Sequence, residues 1–195
     1  MSLAILNDPA PDAVVARLRT PSQEWVEACT GEPGTFFPVV DIDNGGYQGK
    51  GGVVGWTAEP AEIFAGHYGK DDVIPASCDC VGVYGSEYHL MKMPTGEISV
   101  YDPNGWDSAS GMASAHEFAS AAHAGAAIAL LAAVVKELDR LDDLEGEEVD
   151  EDAREEALEA ALQEFGEFVE ALPRDLGGAH FWEAATQSLV GHYEP

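Results

Sequence analysis

Cys78, Cys80, His89 and Asp102 supply the residue types of a thiol triad: a sulfur nucleophile, an imidazole base and a carboxylate to orient it. No local signature accompanies them, and a cysteine within an apolar strand is usually inert packing. The cysteine-enzyme reading is therefore the weakest of three, and no catalytic residue is assigned. The pair Cys78-Asp79-Cys80 is too close for ordinary disulfide geometry, and with Cys29 the count is odd. Free thiols point to a reducing, cytoplasmic setting.

Metal chemistry fares no better. The loop "DIDNGGYQGKGG" (41–52) offers Asp41 and Asp43 at the first and third positions of a calcium loop. Gly45 then stands where a ligand is needed and Gly52 where a bidentate glutamate closes the site, so a glycine-rich connection is the expectation. The glycine spacing matches neither phosphate-loop pattern. His67, His89, His116, His123, His180 and His192 form no His-x-x-x-His unit, and no Cys-x-x-Cys is present. No metal and no cofactor are expected.

The elements behind these residues follow from periodicity. Val14, Val15 and Leu18 give "DPAPDAVVARLRT" the spacing of a short amphipathic helix. Thr20, Pro21 and Gln23 read as the N-cap, first position and capping-box partner of a second helix. From Thr35 the runs "TFFPVVDI", "GGVVGW", "DCVGVYG", "EYHLMKM" and "EISVYD" are rich in β-branched and aromatic residues and predict strands. "EPAEIFAGHYG" reads as a helical insert among them, and Pro94-Thr95-Gly96 as the turn of a hairpin.

Ser114-Ala115-His116-Glu117 has the form of a capping box and predicts a helix from there to about Leu141. Phe118 to Val135 contains no charged residue, yet half of it is alanine, which favours a buried helix over a membrane span. In the next helix, opened by Asp152 and Glu155, the residues Leu158, Leu162, Phe165, Val169 and Leu172 line one face while Glu159, Glu164, Glu167 and Glu170 face out. The alanine-rich helix is the expected surface for that stripe, and "HFWEAATQSLV" closes the chain as a last helix. The expected fold class is α+β: a twisted, mainly antiparallel or mixed sheet over about 35–102, flanked by N-terminal helices and a C-terminal helical hairpin plus closing helix. At 195 residues one domain is the default, with 112–172 as a long hairpin extension and 142–152 as its acidic connector.

That connector lies in "LDDLEGEEVDEDAREE" (141–156), which holds ten acids and one arginine. The acidity is also global: 36 Asp and Glu stand against nine Lys and Arg, for a net charge of −27. Such a charge disfavours nucleic acid and anionic membranes and steers basic proteins toward the chain. Adaptation to high salt, or the codon usage of a GC-rich genome, is the competing explanation, because net charge bears on solubility as well as on partners. The helix dipole favours Glu155 and Glu156 near a helix start but opposes Asp142, Asp143 and Glu145 at a helix end. Helix stability thus accounts for only half the run. Asp142, Asp143, Glu145, Glu147, Glu148, Asp150 and Glu151 are the candidate partner-binding residues.

The segment "VIPASCDCVGVYGSEYHLMKMPTGEISVYDPNGW", followed by "AHEFASA", resembles the central part of the SUKH superfamily of immunity proteins. Ile74-Pro75 before a strand, the hairpin at Thr95-Gly96, the strand end Tyr101-Asp102 and Phe118 carry the similarity, with Asn44-Gly45-Gly46 upstream and Phe181-Trp182 in the closing helix. The long alanine-rich helix, the acidic connector and the glutamate-striped helix depart from the family pattern. The resemblance implies an α+β fold and a non-catalytic protein that neutralises a polymorphic toxin, often a nuclease, by occluding it. The corresponding expectation is a monomer or weak homodimer that binds a basic, toxin-like protein. The alternative is an acidic adaptor that self-associates through the stripe from Leu158 to Leu172.

Overall fold

The computed structural model describes residues 3–7, 10–30, 79–84, 88–101, 112–143 and 151–193. The strands expected at 35–42 and 51–56, the helical insert at 59–69 and the glycine-rich loop at 41–52 lie outside the described residues. Three helices open the chain: α1 (Ala4–Asn7), α2 (Pro11–Arg19) and α3 (Gln23–Thr30). Four strands follow, β1 (Asp79–Tyr84), β2 (Tyr88–Lys92), β3 (Ile98–Tyr101) and β4 (Met112–Phe118). Two long helices, α4 (Ala121–Asp142) and α5 (Glu151–Ala171), precede a 3-10 turn at Arg174–Leu176 and a closing helix, α6 (Ala179–Tyr193). The class is α+β, and the described strands form an antiparallel meander in the order β1-β2-β3-β4.

The β2–β3 hairpin closes where Pro94-Thr95-Gly96 predicts it. Gly96 has φ +92, its N–H donates to the Met93 carbonyl at 2.8 Å, and the Met93 N–H donates to the Glu97 carbonyl at 2.9 Å. In the first helices the start signal is displaced: the Trp25 N–H donates to Ser22 Oγ at 3.2 Å, so Ser22 caps α3 and Thr20 does not. Gln23 turns instead to Glu27, at 2.9 Å.

A larger correction concerns Met112–Phe118, which is a strand and not the start of a helix. The Ser114 capping box is a four-residue pattern. Pairing of β4 with β3, through Ile98 opposite Phe118 and Val100 opposite Ser114, supplies backbone hydrogen bonds that the local signal does not foresee. Two residues of β3 span the same distance as four of β4, so β4 bulges there, and His116 sits in the bulge with φ +59. The hairpin of helices therefore begins at Ala121, with Ser120 as the extended residue before it.

Helix α4 is the centre of the core. Every residue from Ala124 to Leu131 is buried, because α1, α2, α3, α5, α6 and β4 all pack around it. Alanine lets those neighbours approach closely, and a helix apolar on all sides is stable only when so enclosed. It is the one helix among the described residues long and apolar enough to cross a membrane; two-thirds of its most apolar stretch is buried inside the protein. Helix α5 lays Leu158, Ala161, Leu162, Phe165 and Phe168 inward, with Val169 and Leu172 half-buried. The stripe predicted to mediate self-association is thus spent largely on α4 and α6 of the same chain.

Candidate acidic interface at the end of the helical hairpin

Of the residues expected to bind a partner, Asp142 is the last of α4, Asp143 follows as its C-cap, and Glu151 is the first of α5. Glu145, Glu147, Glu148 and Asp150 lie outside the described residues. The helix start also shifts the expected dipole argument. Glu151 and Asp152 occupy the first turn of α5, where the N-terminal partial positive charge favours them, and Glu155 and Glu156 follow one turn later.

The two helix ends are clasped by the single arginine of the acidic run. Arg154 Nη1 lies 3.3 Å from Asp142 Oδ1 and 3.4 Å from the Asp142 carbonyl oxygen, so it both pairs with the carboxylate and satisfies a carbonyl at the end of α4. The pair is part-exposed, and such surface bridges contribute under about 1 kcal/mol. A cavity of about 530 Å³ opens beside it, with Leu158 and Leu162 forming apolar lining and Asp142, Glu155 and Glu159 supplying carboxylates. His192 and Tyr193, at the end of α6, complete its wall.

Tyr193 ties α6 to this corner. Its hydroxyl donates a short hydrogen bond to Asp139, and the His192 ring stands edge-on to it at 4.5 Å. Burial, the hydrogen bond to Asp139, and the negative charges of Asp139, Asp142 and Asp143 all push the phenol well above its ordinary range, so it stays a neutral donor. Neither Tyr193 nor Asp139 belongs to the predicted set. A signal for Tyr193 does exist in the sequence, since Phe181, Ala185, Leu189 and Tyr193 recur every fourth residue and all prove buried.

Carboxylates dominate the outer face of α5, with Ala153, Ala160 and Gln163 exposed among them. Glu151, Glu155 and Glu159 form one i, i+4 ladder and Asp152 with Glu156 a second, all exposed. Each such like-charge pair destabilises the helix by about 0.2–0.5 kcal/mol, so the helix holds through its buried apolar face. Glu164, expected to point outward, instead accepts the Leu3 N–H at 2.7 Å and the Asn7 side-chain amide at 2.6 Å. Glu137 on α4 accepts the N–H groups of Ala4 and Ile5 at 2.7 and 3.0 Å. Together these two glutamates cap the first helix, because its own sequence provides no cap there.

A third internal carboxylate organises the opposite end. Glu117 in β4 is only 2% exposed; its Oε1 accepts the Phe181 N–H at 2.8 Å, and its carbonyl oxygen accepts the Gly178 N–H at 2.6 Å. The bulge at His116 makes this possible by breaking the two-residue alternation, so that Glu117 and Phe118 both turn inward. Gly177 and Gly178 have φ +74 and +77, and a Cβ on either would fall within 2.2 Å of the Glu117 carbonyl oxygen or 2.7 Å of the Phe118 ring. Phe118 then meets Phe181 at 5.6 Å, and Trp182 meets both Phe181 and Phe165, at 4.9 and 6.3 Å.

Chemistry-bearing residues elsewhere are dispersed. Cys29 is buried in α3, where desolvation, offset in part by the Arg17 charge, pushes its thiol up to about 11. Cys80 and His89 fall on β1 and β2, in register with Met91 and Val83, and not opposite each other; Cys78 and Asp102 lie outside the described residues. His116 Nδ1 lies 2.6 Å from Glu97, an exposed contact that lowers the Glu97 carboxyl, and His123 Nδ1 lies 2.9 Å from Ser120 Oγ. Among the described residues no three of His, Cys, Asp and Glu come together to hold a metal ion. Compared with protein-family models, with curated proteins and with solved structures, the chain matches none of them.

Proposed function

We propose that this chain is a non-catalytic binding protein of the SUKH kind, an immunity protein that neutralises a cationic toxin by stoichiometric occlusion in the cytoplasm. The observation that carries the proposal is the concentration of carboxylates where α4 meets α5. Asp139, Asp142, Asp143, Glu151, Asp152, Glu155, Glu156 and Glu159 stand there against two arginines, Arg140 and Arg154, and their like-charge i, i+4 pairs cost helix stability. A nuclease holds phosphate with lysine and arginine, so an inhibitor gains association rate and selectivity from a rigid acidic surface. The high-salt explanation predicts stabilisation by molar potassium chloride and no partner. The acidic-adaptor alternative would use the stripe from Leu158 to Leu172, of which Leu158, Leu162 and Phe165 face the chain's own core and Val169 and Leu172 stay half-exposed.

The test is capture of a basic partner from the source cells at low and high salt, followed by charge reversal at Glu147, Glu148, Asp150 and Glu151. Reversal is expected to slow association at low salt by roughly tenfold or more and to flatten its salt dependence. Melting temperature should barely move. Association indifferent to all four reversals would remove the acidic corner as the recognition element.

A further inference from the structure

Gly166 sits in the interior of α5, and nothing approaches within 4 Å of the position its Cβ would occupy. Internal packing therefore gives no reason for glycine at a place where it weakens the helix relative to alanine. Gly177 and Gly178, by contrast, are fixed by close contacts. The open space over Gly166 belongs to a cavity of about 750 Å³ between α5 and α6, within the size range of sites that accept ligand or peptide side chains. Val169, Leu172, Pro173 and Trp182 give it apolar walls. Glu170 on α5 and Glu183 on α6 stand exposed on its two sides, and neither forms an ion pair among the described residues. Arg174 lines it from the 3-10 turn.

We infer that this groove docks a basic amphipathic segment of the partner, with one large apolar side chain seated over Gly166 and flanking lysine or arginine on Glu170 and Glu183. A second copy of this chain is the wrong occupant, because two bodies of charge −27 repel each other. The two glutamates outnumber Arg174, so the groove lining keeps a net negative charge. The inference rests on the proposal of a cationic partner but adds a separate contact: Gly166 is about 22 Å along α5 from Glu151, at 1.5 Å per residue. The apolar anchor supplies the affinity that charge steering alone does not.

The experiment uses three short fluorescent peptides on the full chain: a lysine/leucine amphipathic helix, a lysine/serine peptide of equal charge, and a glutamate/leucine helix of opposite charge. Binding is followed by anisotropy and mapped by amide chemical shifts. The lysine/leucine peptide is expected to bind tightest and to shift Gly166, Val169 and Ala179. Gly166→Leu is expected to weaken that binding roughly tenfold or more, the loss seen when an anchor pocket is blocked, without lowering the melting temperature. Gly166→Ala controls for helix propensity and should weaken binding less. Unchanged affinity in a folded Gly166→Leu protein, or equal binding of the glutamate/leucine helix, overturns the inference. If the lysine/serine peptide binds as well as the lysine/leucine one, the groove fails and the cationic-partner proposal stands; if neither binds, both fail.

Discussion

Removing the Glu117 side chain tests how the sheet and the closing helix are joined. In Glu117→Ala the Phe181 N–H, third in α6 and buried, loses its acceptor; an unsatisfied buried donor costs about 1–3 kcal/mol. The same change removes an anion from a helix N-terminus, a partly buried interaction of up to about 2 kcal/mol. The expected loss is about 2–4 kcal/mol, or roughly 4–16 °C in melting temperature for a chain of this size. Glu117→Gln keeps an oxygen for the Phe181 N–H and gives up only the charge, so about 1 kcal/mol is expected. Urea unfolding followed by tryptophan fluorescence and circular dichroism reads both values, with exposed Glu167→Ala as a control expected within about 0.5 kcal/mol of wild type. Glu117→Ala within the error of the control would refute the capping role. Glu117→Gln as damaging as alanine would show that charge, and not the hydrogen bond, is what the site needs.

Gly178→Ala should destabilise by about 2 kcal/mol or more, because its Cβ would lie 2.7 Å from the Phe118 ring at a φ of +77; thermal unfolding at wild-type level would show that the loop can move aside. Tyr193 gives a pH signature. Its phenol is raised in the folded state, so the stability it contributes is complete below the ordinary tyrosine value of about 10 and is lost as pH rises above it. Tyr193→Phe should therefore be less stable than wild type at pH 7, by about 1 kcal/mol for the lost bond to Asp139. That gap should close above pH 10, and a gap constant to pH 11 in urea titrations would contradict the assignment.

Several features were legible in the residues because they depend on neighbours in sequence. The β2–β3 hairpin follows from a glycine that reaches positive φ beside two β-rich runs, and the buried character of α4 from a long uncharged alanine-rich run. The inward stripe of α5 follows from helical spacing, although Phe168 joins it and Val169 lies at its edge.

What the chain could not disclose locally were the choices made by partners distant in sequence. Ser114 to Glu117 reads as a helix start, and only pairing with β3 makes it a bulged strand. Glu164 reads as a solvent-facing glutamate until Leu3 and Asn7 arrive from the other end of the chain. The sequence by itself determined the α+β class, the helical periodicities and the excess of negative charge. The tertiary structure alone decided which carboxylates become caps, Glu117 buried and Glu137 and Glu164 half-exposed, and which remain outside around Arg154, because a carboxylate turns inward only where a specific N–H reaches it.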